Sequence, residues 1–299
     1  MISKRYAGID IGSNAVRLLI SDIYPGNTYK EAVIKKRALL RLPVRLGSDV
    51  FLTGGVGEQK MQELLRAMRI YSELIDFYKV EVYRACATSA TRSSENKIEI
   101  INRIFDETKI EIEPIDGEEE ALLLFETNRY NLPGGTHFLS ADLGGGSMQL
   151  TLFDRDNLIW THSYKIGTVR MIHDVVDPDE YKSFIEKMKE ISAQYPDLTV
   201  IGSGGNIIKI SKICSEAHVQ QSNIIQLLLR LKEMDQETRM RTFQFGSDRA
   251  DVIVPAAQIY IDLLDVLKIN SIYVPKTGVA DGIIRHLYEK HIDTNKILS

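Results

Sequence analysis

The chain of 299 residues is 44% hydrophobic and 26% charged, a balance that predicts a globular protein of about two domains. Its 37 Lys and Arg residues against 41 Asp and Glu residues give a formal net charge of −4, which argues against DNA or RNA as a partner because nucleic-acid binders carry a basic excess. Cys86 and Cys214 match no disulfide or zinc spacing. No apolar run reaches the ~18 residues of a membrane span, and the N-terminus lacks the apolar core of a signal peptide. A cytoplasmic protein that does not contact a membrane is therefore expected.

The first part of the chain is predicted to begin with three strands and to continue with alternating helices and strands. Apolar residues recur at helical spacing between Met61 and Leu74, Ser94 is a candidate helix cap, and acidic residues suit the first turn of a helix that begins near residue 117. The predicted strands are 7–9, 16–23, 29–40, 80–87 and 110–115, and the predicted helices are 58–78, 94–105 and 117–129.

The second part of the chain repeats this pattern after a cluster of turn residues at 131–135. A run of three strands is again followed by helices, so the sequence predicts two mixed α/β domains. The predicted strands are 137–141, 148–153, 158–164 and 271–274, and the predicted helices are 179–193, 205–217, 222–233, 248–267 and 278–289.

The two parts begin with similar hairpins, each consisting of an apolar strand that ends in an aspartate, a Gly/Ser turn and a returning strand. The aspartates are Asp10 and Asp142, and the turn residues are Gly12, Ser13 and Asn14 in the first hairpin and Gly144, Gly145, Gly146 and Ser147 in the second. Glycine lets the backbone approach a ligand closely, and exposed turn N–H groups form an anion-binding concavity. An aspartate beside such a turn suits a divalent cation held between the carboxylate and phosphate oxygens. Two unrelated tight turns are the alternative interpretation, because Asp and Gly are common turn residues.

This pair of hairpins resembles the duplicated fold of the acetate and sugar kinase, actin and chaperone superfamily. The resemblance implies two phosphate-binding hairpins that face each other across a cleft between two domains. A third glycine-rich turn at 201–206, which includes Gly204, lies between a strand to which no bounds are assigned and the helix predicted from 205. A helix N-terminus after such a turn can bind an anion. In nucleotide-dependent members of the superfamily the corresponding turn lies near the adenosine. An ordinary strand–helix turn is the alternative.

Five further segments narrow the resemblance to one family. They are 45–47 (RLG), 87–92 (ATSATR), 117–121 (GEEEA), 167–170 (GTVR) and 278–282 (GVADG). Together with the two hairpins, in consistent order over nearly the whole chain, they resemble the exopolyphosphatase and guanosine pentaphosphate phosphohydrolase (Ppx/GppA) family. The resemblance implies an α/β fold of two actin-like (ribonuclease H-like) domains with the active site in the cleft between them. The boundary is expected near residue 128, giving domains 1–128 and 129–299, with the closing helix packing back towards the first.

The resemblance also implies roles for particular residues. Glu120 matches the family's catalytic glutamate and would orient or deprotonate the attacking water, and Arg92 would bind a phosphate through its planar guanidinium. Asp10 and Asp142 would hold Mg²⁺, and the glycines, Ser13, Asn14 and Ser147 would donate hydrogen bonds to phosphate. Arg17, on the returning strand of the first hairpin, is expected to be structural. The basic segment 35–45 would guide a polyanion or simply be a solvated edge strand.

Two positions depart from the family pattern. Gln149 stands where the family has a glutamate associated with the metal, and Leu122 stands where many members have an arginine. With a neutral Gln149, Mg²⁺ would bind more weakly or depend more on Asp142 and Glu120. Longer members add a helical C-terminal region after the second domain, so a short form of the family is expected here.

Three functional hypotheses follow from these features. The first is a Mg²⁺-dependent hydrolase that releases terminal phosphate from inorganic polyphosphate or the 5′ γ-phosphate from guanosine pentaphosphate. The second is a sensor that binds polyphosphate or a guanosine tetra- or pentaphosphate with little turnover, and the third is an ATP-dependent kinase, against which Glu120 argues. Dimerisation is common in the family, so a homodimer is an expectation, although no segment of the sequence identifies an interface.

Overall fold

The computed structural model contains two β-sheets. It describes residues 3–26, 31–128, 132–155 and 157–297, of which residues 128 and 292–297 are described by their backbone alone. Each sheet belongs to its own structural unit. Unit 1 consists of Met1–Tyr130 and Val279–Ser299, and unit 2 of Asn131–Gly278.

The part of unit 1 before residue 131 contains a three-stranded meander followed by helices and two further strands. Its elements are β1 (Lys4–Ile11), β2 (Val16–Tyr24), β3 (Val33–Leu42), α1 (Leu46–Thr53), α2 (Glu58–Phe77), β4 (Val82–Ala87), α3 (Ser89–Ser93), α4 (Lys97–Thr108), β5 (Ile112–Pro114) and α5 (Gly117–Asn128).

Unit 2 starts with a similar meander, and the last helix of the chain then returns to unit 1. The elements of unit 2 are β6 (His137–Leu143), β7 (Met148–Phe153), β8 (Leu158–Tyr164), α6 (Thr168–Ile172), α7 (Pro178–Gln194), β9 (Leu198–Ser203), α8 (Gly205–Cys214), β10 (His218–Gln220), α9 (Gln221–Lys232), α10 (Gln236–Phe243), α11 (Ser247–Ala250), α12 (Ile253–Leu267) and β11 (Ser271–Tyr273). The last helix is α13 (Val279–Ile297).

The two sheets share one strand order. In unit 1 the order is β3-β2-β1-β4-β5, and in unit 2 it is β8-β7-β6-β9-β11, with β10 added at the edge. In both sheets the first three strands are antiparallel and the next two join in parallel. The sequence similarity between the two hairpins therefore reflects a structural duplication of a whole sheet.

The alternation of apolar residues along the strands explains how each sheet is buried. In unit 1, Ile9, Ile11 and Val16 face a core formed with α2 and α4, and Tyr71 on α2 is fully buried and donates a hydrogen bond to the carbonyl of Val16 at 2.9 Å. The opposite face of the sheet packs against α13, whose Ile284 is fully buried. The core of unit 2 forms separately around β6, β7, α7 and α12. In the part of the chain that the structure describes, no helix combines the length and apolarity needed to cross a bilayer.

One buried ion pair network fixes the meander of unit 1. Asp22 on β2 is 1% exposed and accepts hydrogen bonds from Arg5 on β1, at 2.8 Å, and from Arg37 on β3. Burial opposes ionisation of this carboxyl, but the two arginines outweigh it and lower its pKa below the usual value. The network thus joins the three antiparallel strands.

The last helix occupies a different unit from the segment that precedes it. Domains of 1–128 and 129–299 are predicted from the sequence, with the closing helix packing back towards the first. In the structure α13 packs against α5 and β1 and belongs to unit 1. The physical reason is burial, because the apolar side of α13 covers the second face of the first sheet.

Several predicted element boundaries also differ from those observed. The helix predicted from Ser94 begins at Lys97, because Asn96 at its N-cap position accepts a hydrogen bond from the N–H of Val56 and holds that turn in place. The helix predicted over 248–267 is split into α11 and α12, which places Pro255 in a first turn, where its missing N–H costs little.

Other differences concern short elements and residues that are not described. The elements that the sequence analysis did not predict are α1, α3, α6, α10 and β10, all too short to show clear periodicity. The start predicted for the third strand (29) and the end predicted for the helix 117–129 fall outside the described residues.

Candidate functional site

The first predicted hairpin is a tight turn between β1 and β2, supported by the chain that follows β3. The N–H of Gly12 donates to the carbonyl of Ala15 at 3.2 Å and closes the turn. The carbonyls of Ser13 and Asn14 accept hydrogen bonds from the N–H groups of Gly47 at 2.8 Å and Arg45 at 3.1 Å. The turn is therefore held by main-chain contacts on one side.

The second predicted hairpin has the same construction between β6 and β7. The N–H of Gly144 donates to the carbonyl of Ser147 at 2.9 Å. The carbonyls of Gly144 and Gly145 accept from the N–H groups of Thr168 at 3.0 Å and Val169 at 2.8 Å, at the start of α6. Both hairpins are thus closed by the same main-chain hydrogen bond and supported by the segment that follows the third strand of their unit.

The two predicted metal-binding aspartates differ in the residue that faces them across the hairpin. Asp10 pairs with Arg17, whose Nη1 donates to Asp10 Oδ2 at 2.6 Å. Asp142 pairs with Gln149. The structural role expected for Arg17 therefore includes an ion pair with a predicted metal ligand, and the equivalent position in unit 2 has no charge.

Gln149 is held in a defined orientation inside unit 2. It is 3% exposed, and its Nε2 donates to Thr161 Oγ1 at 2.9 Å, while that hydroxyl can donate to the carbonyl of Leu150 at 3.1 Å. The other end of the amide, Oε1, is buried without a hydrogen-bond donor. A buried acceptor without a donor is costly, and it lies on a side chain that shares a sheet face with Asp142.

The two predicted catalytic residues lie close together in unit 1. Arg92 on α3 directs Nη1 to the carbonyl of Ile115 at 2.7 Å and to Glu120 Oε2 at 3.7 Å. The side chain of Glu120, in the first turn of α5, is 12% exposed. The pair is thus an ion pair partly shielded from solvent, in which both partners retain access to water.

The topology of unit 1 brings this ion pair to the edge that carries the first hairpin. The N–H of Thr88, just before α3, donates to the carbonyl of Ile11 at the end of β1. The N–H of Ile115, just before α5, donates to the carbonyl of Ala87 at the end of β4. Strands β1, β4 and β5 are parallel, so Arg92 and Glu120 follow the carboxyl ends of the strands, where α/β sheets bind ligands.

The third predicted turn is next to the second hairpin in unit 2. Ser203, at the end of β9, pairs with Asp142. Gly204 has a φ of 87°, and a Cβ there would come within 2.1 Å of Asp142 Oδ1, so only glycine fits. This turn therefore supports the position of the Asp142 carboxylate, and Arg249 on α11 donates to the side chain of Asn206 at the same turn.

The predicted site residues are therefore grouped in two sets. The set in unit 1 consists of Asp10, Gly12, Ser13, Asn14, Arg92 and Glu120, and the set in unit 2 consists of Asp142, Gly144, Gly145, Gly146, Ser147 and Gly204. Within residues 3–26, 31–128, 132–155 and 157–297, no group of three or more His, Cys, Asp or Glu side chains could by itself hold a metal ion.

The sequence analysis quoted Arg170 within a family motif but gave it no role. In the structure its Nε donates to the carbonyl of Gly146 at 2.8 Å. The signal for this contact was present in the chain order, because residues 45–47 and 167–170 follow the third strand of each unit. An alignment of the two repeats would have placed both segments against the hairpins.

The duplicated sheet and the paired hairpins define an actin-like, two-domain α/β protein, and comparison with solved structures agrees. The Aquifex aeolicus Ppx/GppA family member superposes with a TM-score of 0.77 at 25% identity, over 97% of this chain and 99% of that one. An exopolyphosphatase from Cytophaga hutchinsonii superposes with a TM-score of 0.83 at 23% identity, over 96% and 98% of the two chains.

Sequence comparison also finds phosphatases and pyrophosphatases among the relatives of this chain. Exopolyphosphatase 2 of Mycobacterium tuberculosis is 26% identical over 95% of this chain and 98% of its own length. A guanosine-5′-triphosphate,3′-diphosphate pyrophosphatase of Photobacterium profundum is 23% identical over 97% of this chain and 60% of its own length. A bifunctional 3-dehydroquinate synthase/phosphatase of Fusobacterium nucleatum is 36% identical over 55% of this chain, which spans only 25% of that larger protein.

The model of the Ppx/GppA phosphatase family matches residues 34–291. Since this match covers most of the sequence, the chain belongs to the Ppx/GppA phosphatase family.

Proposed function

We propose that this protein is a Mg²⁺-dependent phosphohydrolase that releases the terminal phosphate of inorganic polyphosphate or the 5′ γ-phosphate of guanosine pentaphosphate. The observation that carries the proposal is the ion pair of Glu120 and Arg92 at the carboxyl edge of the sheet that also bears the first hairpin. Family membership and relatives named exopolyphosphatase and guanosine-5′-triphosphate,3′-diphosphate pyrophosphatase support it.

In the proposed reaction water attacks the terminal phosphorus atom, the bond to the bridging oxygen breaks, and the shortened chain leaves with that oxygen. Glu120 orients the water and accepts its proton, which a carboxylate partly shielded from solvent can do. Arg92, oriented by the carbonyl of Ile115, stabilises negative charge on the phosphate oxygens through its planar donors.

Each hairpin would bind phosphate oxygens through its own main-chain N–H groups. In a trans peptide the C=O of one residue and the N–H of the next point in opposite directions. Because the carbonyls of Ser13 and Asn14 face their supporting segment, the N–H groups of Asn14 and Ala15 face away from it. The second hairpin is built in the same way, so each turn presents a row of donors that suits an anion.

The residues present fit a magnesium ion. Proteins usually hold Mg²⁺ through one or two carboxylates, with substrate phosphates and water completing the shell, so a cluster of three protein ligands is not needed. Within unit 2 Asp142 would hold the ion, with the buried Oε1 of Gln149 as a neutral neighbour. Asp10 is the corresponding carboxylate of unit 1, where Arg17 restrains it. When bound, the metal supplies charge neutralisation on the phosphate oxygens.

A second candidate function is suggested by the neutral Gln149 opposite Asp142. With one negative charge fewer than a carboxylate would supply, the metal would bind more weakly. The protein would then bind polyphosphate or a guanosine tetra- or pentaphosphate as a sensor with slow turnover.

The test is Mg²⁺-dependent phosphate release from polyphosphate and from guanosine pentaphosphate. Wild-type release that falls by about 10²–10⁴-fold in Glu120→Gln but stays unchanged in Glu118→Gln would support the hydrolase. Glu118 is the matched control because it lies exposed in the same helical turn. Tight binding of either polyanion without release would favour the sensor, and neither binding nor release would reject both functions.

A further inference from the structure

The three glycine carbonyls of the second hairpin all contact one short segment, residues 168–170. Those of Gly144 and Gly145 accept hydrogen bonds from the main-chain N–H groups of Thr168 and Val169. The carbonyl of Gly146 accepts from a side chain, the Nε of Arg170, at 2.8 Å. The same arginine also donates its main-chain N–H to Gly145 at 3.3 Å.

These contacts determine where the N–H groups of the turn point. Each carbonyl that faces residues 168–170 directs the N–H of the following residue to the opposite side, because the trans peptide is planar. The N–H groups of Gly145, Gly146 and Ser147 therefore point away from α6, as a row of donors. The last peptide of this row, between Gly146 and Ser147, has its carbonyl held by Arg170.

The first hairpin is supported by main-chain donors. Its carbonyls at Ser13 and Asn14 accept from the main-chain N–H groups of Gly47 and Arg45. The second hairpin also contains three consecutive glycines, which are the least restricted residues in the chain. The contact of Arg170 with the third glycine would thus restrain a backbone that has little intrinsic restriction of its own.

The surroundings of Arg170 favour a positioning role. The side chain is partly buried, and this burial lowers the pKa of its guanidinium against the effect of the carboxylate of Glu180. A side chain that orders a flexible backbone must keep a fixed rotamer, and partial burial next to the main chain of the turn provides that restraint.

We propose that Arg170 is a positioning residue for the second hairpin: its Nε holds the carbonyl of Gly146 so that the N–H groups of Gly145, Gly146 and Ser147 remain directed at a bound phosphate. This inference rests on the proposed function for the identity of the ligand. The restraint of the turn itself does not depend on it.

Two substitutions separate positioning through Nε from direct attraction of phosphate by the charge. In Arg170→Gln the amide Nε2 occupies the same position along the side chain as Nε, so the donor is kept and the charge is lost. In Arg170→Lys a methylene occupies that position, so the charge is kept and the donor is lost. Arg170→Ala loses both, and Arg239→Ala is the matched control, because Arg239 in unit 2 also donates Nε to a backbone carbonyl, that of Leu231 at 2.8 Å.

The experiment is a titration of the full chain with tripolyphosphate in the presence of Mg²⁺, followed through the backbone amide resonances of residues 145–147. We expect Arg170→Ala and Arg170→Lys to raise the dissociation constant by about tenfold, the equivalent of one good hydrogen bond. Arg170→Gln should remain close to wild type, and Arg239→Ala should not change the constant. Binding by Arg170→Lys as tight as by wild type, with weak binding by Arg170→Gln, would overturn the proposal in favour of a direct charge effect.

Backbone order parameters of the ligand-free protein give a second, independent measurement. Arg170→Ala should lower the order parameters of Gly145 and Gly146 from the ~0.85 of rigid backbone towards ~0.6 and leave those of residues 12–15 unchanged. Unchanged values at Gly145 and Gly146 would overturn the positioning role. If tripolyphosphate shifts no amide of the wild-type protein, the proposed function is rejected, whereas the order parameters still decide whether Arg170 restrains the turn.

Discussion

Asp142 and Gln149 face each other directly across the second hairpin, in the position that Asp10 and Arg17 occupy in the first. The same strand order and the same turn length therefore present a carboxylate opposite a cation in one unit and opposite a neutral amide in the other. Directly opposed cross-strand side chains interact, so the two aspartates of the repeat have different electrostatic surroundings. The ion pair restrains Asp10, and the amide adds an uncharged oxygen beside Asp142.

The first prediction concerns Gln149→Glu. We expect this variant to bind Mg²⁺ about tenfold more tightly, because a carboxylate adds a negative charge and an oxygen ligand beside Asp142. In the absence of metal the two facing carboxylates repel each other, so the melting temperature should fall and should recover on addition of Mg²⁺. Calorimetric Mg²⁺ titration and thermal unfolding measure the two effects.

The control for this prediction is Gln226→Glu, which adds the same charge at an exposed position on α9. That variant should leave both the Mg²⁺ affinity and the metal dependence of melting unchanged. The same Mg²⁺ affinity and the same metal dependence of the melting temperature in both variants would show that position 149 does not contribute to a metal site.

Much of the fold and the position of each hairpin could be predicted from the sequence. The aspartates, the glycines and the returning strands recur at the same spacing, and hydrophobic periodicity identified both three-stranded meanders. Those features are local, because a hairpin is determined by its own turn and by the alternation of its strands.

The remaining features depend on contacts between residues that are far apart in the sequence. The placement of α13 in unit 1 was expected only from the family resemblance, because it results from an apolar face that covers a sheet formed much earlier in the chain. The ion pair of Asp10 with Arg17 required the exact register of β1 and β2. The contact of Arg170 with Gly146 depends on how the segment after β8 returns to the turn, which local propensity does not encode.

The second prediction concerns Asp22 and pH. Because its folded pKa lies below the unfolded value of 3.8, its contribution to stability is present above that value and is lost as the pH falls through the folded pKa. At pH 7, Asp22→Asn should lower the free energy of unfolding by about 1–3 kcal/mol, through the loss of charged hydrogen bonds to Arg5 and Arg37. The difference from wild type should shrink below about pH 4.

Urea unfolding at several pH values measures this difference. The matched control is Asp106→Asn, an exposed aspartate on α4, which should show only a small difference at every pH. A difference in the free energy of unfolding between Asp22→Asn and wild type that stays constant down to the lowest pH measured would contradict the link between the pKa of Asp22 and stability.

The third prediction tests the assignment of α13 to unit 1. Ile284 is fully buried against the first sheet, so Ile284→Ala should lower the free energy of unfolding by about 2–5 kcal/mol. Hydrogen exchange should accelerate in β1 and β2 and remain unchanged in β6 and β7. Leu229→Ala, at a position 58% exposed, should have little effect, and faster exchange in β6 and β7 alone would place the helix with unit 2.

The fourth prediction concerns Gly167, which lies against the second hairpin. Its backbone is extended, so any residue could adopt its conformation, but a Cβ would come within 2.3 Å of the carbonyl oxygen of Gly145. Gly167→Ala must therefore displace the turn, and we expect a loss of about 1–3 kcal/mol in stability together with weaker tripolyphosphate binding. In Gly134→Ala a Cβ meets no atom within 4 Å, so this control should keep both properties. Thermal unfolding and the amide titration of residues 145–147 compare the two variants, and normal binding by Gly167→Ala would show that the turn tolerates displacement.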